Sequence, residues 1–149
     1  MSILNELENL LTNEFKTWFG DSKVVDNNGK PLVVYHGTNS KFKKFNLKKA
    51  TQGIIWFTTN KKEIESGTIG AQGSGIILSL YVRIENPAGW KEYDQLMLDE
   101  LISRGYDGVI LPNKNGSFDG FVFKPNQLKS ATNNNGEFNI KSDNIYESN

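Results

Sequence analysis

The chain contains one histidine, His36, in the run "VVYHGTNSKF" (33–42), followed by Gly37 and Thr38. Four residues with strand character precede it, so a sheet can fix its ring, and Gly37 lets a ligand approach the backbone closely. An imidazole placed this way suits ligand binding, and it equally suits a rim or core histidine satisfied by hydrogen bonds; the residues alone leave both readings open. Thr38 can cap or bond its own backbone and says little by itself. Asp119 opens "DGFVF", where an acid at a strand mouth would line a cleft, although Asp also favours turns. Trp56 and Phe57 are neighbours in "GIIWFTT" and face opposite ways on a strand, so one belongs to the core while the other is a candidate pocket wall. "KFKKFNLKK" gathers Lys41, Lys43, Lys44, Lys48 and Lys49, a run that fits either phosphate contact or a solvated face. No Ser/His/Asp triad assembles from the spacing, and one His with one Asp does not specify a reaction.

The remaining composition narrows the classes. At 149 residues the chain is one domain by length and can close a core without disulfides or metal. It has no cysteine, which excludes thiolate chemistry, and its single histidine excludes a multi-histidine metal site. Seventeen basic residues balance seventeen acidic ones, so partners must be selected by a site rather than by a whole-molecule field. The start, "MSILNELENLL", is too acidic for a signal peptide and no run is apolar enough to cross a bilayer, so a soluble, cytoplasmic protein is expected.

The elements that must hold these residues follow from periodicity. Ile3, Leu4, Leu7, Leu10, Leu11, Phe15, Trp18 and Phe19 form a helical stripe stopped by Gly20. "VVDNNGKP" reads as a tight turn with Asn28 and Gly29 suited to positive φ. Pro31–Tyr35, Gly53–Thr59, Ile76–Ile84, "YDGVILP" and "DGFVFKP" read as strands, the last two joined by the polar turn "NKNGS". Asn60 can cap a short helix, a second helix is expected from Lys91 to Arg104, and Pro87 should stop the strand before it. Gly67, Gly70, Gly73 and Gly75 lie in a loop that is either a lid or a linker, without the context of a Rossmann phosphate cradle. From Thr132 onward the chain is Asn-rich and reads as a loosely packed tail. Short strands with few helices and no regular βαβ alternation indicate an α+β domain with a largely antiparallel sheet.

Taken in order, the blocks "FKTWFGDSKVVDNNGKPLVVYHGT", "GIIWFTTNK", "YVRIENP", "GYDGVI" and "FVFKPNQLKSAT" resemble those of the ADP-ribosyltransferases of phage polyvalent proteins. That family is similar in fold to diphtheria toxin and the poly(ADP-ribose) polymerases. The resemblance runs from about Phe15 to Ile140, and "VYHGT" and the Phe123–Ser130 block are its most specific parts. It implies an α+β fold of split antiparallel β-sheets with a few flanking helices, here a single domain over residues 1–131 with an N-terminal helix and a tail over 132–149.

The resemblance also implies roles. His36 would bind a ribose hydroxyl of NAD, and the Gly37 backbone would hold the nicotinamide carboxamide, with Thr38 and Phe57 close by. Counting back from Gln127 puts Asp119 where related enzymes carry the catalytic acid, usually Glu. The tyrosine that stacks on nicotinamide is missing: Gly67 or a neighbour occupies its place, which leaves Trp56 or Tyr81 as candidates for the aromatic face. Lys43 and Lys44 would approach the pyrophosphate or adenosine end. The implied activity is mono-ADP-ribosyl transfer from NAD, as co-substrate and without metal, to a macromolecular acceptor. That acceptor is expected to be a protein, and nucleic acid stays open because neutral charge does not forbid a local footprint. A phage factor acting on a host or defence protein in the bacterial cytoplasm would fit. The alternatives are an NAD or ADP-ribose binding module and an NAD glycohydrolase.

Overall fold

A computed structural model describes residues 12–38, 53–66 and 75–147. Polar caps decide where its helices begin. The first, α1 (Asn13–Phe19), starts where the Thr12 hydroxyl accepts the Phe15 amide at 3.1 Å. Thr12 is extended, so the single helix expected from Ile3 to Phe19 is broken there; its earlier part lies outside the described residues. α1 buries Phe15, Trp18 and Phe19 against Tyr81, Ala131 and Phe138, and the Trp18 indole donates to the Asn126 carbonyl at 3.0 Å.

Among the described residues seven strands follow in one sheet: β1 (Val34–Thr38), β2 (Ile55–Thr58), β3 (Ile76–Val82), β4 (Pro87–Ala88), β5 (Gly108–Pro112), β6 (Phe118–Val122) and β7 (Leu128–Ser130). Their order is β4-β5-β6-β2-β1-β3-β7, and every pairing is antiparallel except β4 with β5. Between β2 and β3 lies α2 (Lys61–Glu65), whose Asn60 cap accepts the Lys62 amide at 3.2 Å, as its sequence leads one to expect. The α+β, largely antiparallel class holds.

Several details differ from expectation. β1 begins at Val34, not Pro31, so His36 lies inside the strand; Pro31 pairs only with Val25 across the turn closed by Asp26. Gly29 adopts a positive φ of 78°, while Asn28 does not need one. Pro87 does not end pairing but opens the short edge strand β4, a position where its missing amide costs no ladder bond. The helix expected over Lys91–Arg104 is two helices, α3 (Trp90–Gln95) and α4 (Leu98–Ser103). Leu96 and Met97 are extended between them, and Glu92 and Glu100 each reach back to an amide, Gly89 at 2.8 Å and Met97 at 3.2 Å. β7, in "LKS", has no counterpart in the sequence reading.

Alternation along β2 divides the core. Ile55 and Phe57 pack with Val34, Leu80 and Val122 on one face, while Trp56 packs with Phe121 and Leu101 on the other. The two ends of the sheet are tied by one amide. Buried Gln127 accepts the Phe123 and Lys124 amides on Oε1 and donates from Nε2 to the Arg83 and Asp107 carbonyls, at 3.3, 3.0, 2.9 and 2.7 Å. The Asp107 carboxylate in turn accepts the Glu85 and Asn86 amides, each at 2.8 Å. The ends of β3 and β6 and the start of β5 are thereby held at one point. No described helix is long and apolar enough to cross a membrane.

The Asn-rich segment expected to be loose is packed on the sheet. Asn134, Phe138, Asn144, Ile145 and Glu147 are buried. Its asparagines act as turn formers: Asn134 accepts the Gly136 amide, Asn139 that of Lys141, and Asn144 those of Tyr146 and Glu147. What anchors it is fully buried Lys129 on β7, which donates to the Asn139 and Ser142 carbonyls at 2.8 and 3.0 Å and to the Glu147 carboxylate at 3.1 Å. Burial pulls the Lys129 ammonium below its usual range, and the Glu147 charge opposes that pull. Lys129→Met leaves the Glu147 carboxylate buried without its cation and should cost about 3–5 kcal/mol of stability in urea denaturation. Adding Glu147→Gln should recover a substantial part of that loss; an unchanged denaturation midpoint for Lys129→Met would contradict the anchor.

Candidate active site

β4, β5, β6 and β2 form one half of the sheet, and β1, β3 and β7 form the other. Among the described residues the halves meet through a single backbone pair, Tyr35 opposite Thr58, beyond which β1 and β2 part. At the parting the His36 side chain replaces a ladder bond: its Nδ1 lies 2.6 Å from the Trp56 carbonyl oxygen. A carbonyl only accepts, so Nδ1 carries the hydrogen, and in the neutral ring Nε2 is the accepting nitrogen. Burial lowers the imidazole below its ordinary 6.5 more than the Trp56 bond raises it, so the ring is neutral at neutral pH.

The parted strands leave a small cleft, open to solvent, with enclosed room of about 10 Å³. Tyr35, His36 and Gly37 of β1, Trp56, Phe57 and Thr58 of β2 and Ile64 of α2 line it. Phe57 reaches its place because the residue opposite, Gly120, has no side chain: a Cβ there would fall 2.6 Å from the Phe57 ring and 2.3 Å from the Val109 carbonyl. Trp56 stands edge-on to Phe121, with centroids 4.9 Å apart, and faces Tyr93 at 6.5 Å.

Asp119 lies one strand beyond the cleft wall. On β6 it pairs opposite Thr58, whose hydroxyl donates to Asp119 Oδ1 at 2.6 Å, while Asn113 Nδ2 stands 3.4 Å from the other oxygen. Tyr35, Thr58 and Asp119 thus form a row across three strands on one face, and the Lys61 ammonium sits over the Tyr35 ring at 5.8 Å. From α2, Glu63 enters the same group, its Oε2 3.3 Å from the Thr58 hydroxyl. Partial burial, and after it the Asp119 charge, hold the Glu63 carboxyl above its ordinary value; hydrogen bonding with Asp119 adds to this and the Thr58 hydrogen bond opposes it.

His36, Gly37, Trp56 and Phe57 therefore share one cleft, with Asp119 beside it behind Thr58. Thr38 pairs with Ile76 and does not line the cleft. Tyr81, a candidate for the aromatic face, is instead a core residue: it is 1 % exposed, its ring lies 4.9 Å from Phe15 beneath α1, and it cannot reach the cleft. Lys43, Lys44 and Gly67 lie outside the described residues. Sequence reasoning passed over Tyr35, Thr58 and Glu63. Strand alternation next to His36 and the cross-strand partner of Asp119 would have pointed to the first two, but the third needs the position of α2.

A family model described as ADP-ribosyltransferase in polyvalent proteins matches residues 26–101 and 88–138. The chain belongs to this family. No curated protein and no solved structure matches it. The match contains β1 to β7 and the whole cleft, whereas α1 and the Glu147 anchor lie outside it. NAD is the substrate of ADP-ribosyltransferases, and a neutral imidazole with an accepting nitrogen at a cleft suits a hydroxyl-rich sugar. Among the described residues no group of three or more His, Asp and Glu side chains is arranged to hold a metal.

Because its folded value is depressed, His36 contributes stability that is complete above the ordinary 6.5 and is lost as pH falls, where the unfolded chain takes up a proton that the buried ring resists. His36→Gln should flatten the decline in unfolding free energy between about pH 7 and about pH 5. Equal slopes for both proteins in urea denaturation would contradict the neutral ring.

Proposed function

We propose that the protein is a mono-ADP-ribosyltransferase that moves ADP-ribose from NAD to a macromolecular acceptor, with Asp119 as the catalytic acid residue and His36 and Gly37 as the NAD grip. The observation that supports it best is the Thr58 hydroxyl tether, which orients the Asp119 carboxylate beside the cleft where His36 stands. The acceptor is a host or defence protein in the bacterial cytoplasm, following the phage setting that the resemblance carries.

In this reading the nicotinamide ring lies between Trp56 and Tyr35, and Gly37 bonds its carboxamide. His36 Nε2 accepts a ribose hydroxyl. The bond from C1′ to the nicotinamide nitrogen breaks with its electron pair going to nicotinamide, leaving an oxocarbenium-like sugar whose positive charge the Asp119 carboxylate stabilises. A lone pair of the acceptor then closes on C1′ while its proton passes to Asp119 and on to solvent. With water as the acceptor, the same geometry performs hydrolysis.

Asp119→Asn keeps the shape and the Thr58 contact but removes the charge. Nicotinamide release by the purified variant should fall about a hundredfold to a thousandfold, roughly 3 to 4 kcal/mol of transition-state stabilisation, while NAD affinity changes little. Undiminished release by a folded Asp119→Asn protein would overturn the assignment. Labelled NAD in a bacterial lysate separates transfer, which labels a macromolecule, from hydrolysis, which labels none.

A further inference from the structure

The Thr58 hydroxyl poses an accounting problem. It owns one hydrogen and two lone pairs. The Asn60 amide donates to it at 3.0 Å and fills one lone pair. Its hydrogen goes to Asp119 Oδ1 at 2.6 Å, the distance of a charge-assisted bond. Glu63 Oε2, at 3.3 Å, then meets only a lone pair. Two ionised carboxylates around this oxygen would compete for one hydrogen and repel each other. The group is satisfied when Glu63 brings a proton of its own and donates it to Thr58.

We infer that Glu63 is a positioning residue of this site: protonated, it donates to the Thr58 hydroxyl and so commits the Thr58 hydrogen to Asp119, locking the catalytic carboxylate in charge and orientation. The hydrogen-bond chain runs from Glu63 through Thr58 to the accepting Asp119, from α2 across β2 to β6. When Glu63 ionises it withdraws its hydrogen bond, competes for that of Thr58 and sets a second negative charge beside Asp119, which loosens the lock. The upward displacement of the Glu63 carboxyl comes from burial and from Asp119, by charge and by hydrogen bonding, while the Thr58 contact opposes it. The other titratable groups nearby are Lys61 over the Tyr35 ring, Lys62 and Glu65 on α2, and Tyr35 and His36 on β1; of the charged groups, Asp119 is the one that bears on Glu63.

The role of Glu63 in turnover rests on the reading of Asp119 given above, whereas the shared proton does not, and two measurements keep the failures apart. Carboxyl NMR follows Glu63 in the wild type and in Asp119→Asn: its titration should lie above the ordinary glutamate range and move down in the variant, and an ordinary titration unmoved by the substitution would overturn the inference whether or not the protein turns over NAD. Nicotinamide release is then compared for wild type, Glu63→Gln and Glu63→Ala. Gln carries a donor at every pH, so the ratio of Glu63→Gln to wild-type release should rise about tenfold from about pH 5 to about pH 8, the worth of a hydrogen bond to a charged group. Titration of His36, common to both proteins, cancels in that ratio. Glu63→Ala should lose turnover relative to wild type at the lower end, where Glu63 carries its proton, with little change in KM, and Gln should retain it at both ends. A flat ratio with measurable release would overturn the inference while leaving the transferase reading intact. Absence of release from every protein would overturn the transferase reading and the lock on turnover together, with the NMR titration deciding the shared proton alone.

Discussion

Among the described residues, one backbone pair, Tyr35 against Thr58, and one imidazole-to-carbonyl bond, His36 to Trp56, link β1 to β2. Parting strands leave backbone groups without their ladder partners, and a buried carbonyl left so is costly. The His36 ring supplies a partner at Trp56, so the sheet can open there with that carbonyl satisfied. The cleft follows from this substitution of a side chain for a ladder bond. The same bond fixes the tautomer that turns an accepting nitrogen to the sugar in the proposed reaction.

The Phe123–Ser130 block is largely scaffold. Gln127 uses its amide for four bonds that hold the ends of β3, β5 and β6, and Asp107 caps the turn that leads to Pro87. Lys129, two residues after Gln127, anchors the C-terminal segment. Gln127 holds the end of β6 to β3 and β5, and the register of β6 on β2 sets Asp119 opposite Thr58 rather than one residue away on the other face. The chemistry thus depends on strand register. Gly120 makes the same point from the other direction, since the ring of Phe57 needs the space that a side chain would take.

Around Thr58 the fold gathers groups from four elements: Tyr35 from β1, Thr58 itself from β2, Glu63 from α2 and Asp119 from β6. A hydroxyl between two carboxyls is a directional switch, because it can donate to only one of them. Partial burial strengthens the contest by weakening solvent screening. Nearby, Trp56, Phe121 and Tyr93 make a wall of tilted rings that gives the face its rigidity.

The sequence by itself determined the class of fold, the family, the strands around Trp56 and Asp119, and the singling out of His36, because periodicity, turn chemistry and motif blocks are local and survive reading along the chain. It was misled where capping bonds or distant groups override the apolar pattern. The expected long helices break at Thr12 and at Leu96–Met97 through capping bonds, Pro87 joins an edge, and an Asn-rich run packs because a lysine on β7 lies beneath it. Tyr81 looked available until α1 covered it. Only the tertiary structure decided that His36 would bond Trp56, that Thr58 would stand between Glu63 and Asp119, and that Tyr35 would share their face. Those contacts join residues up to 61 positions apart, and hydrogen bonds of such span are set by strand order and register, which no local window of sequence contains.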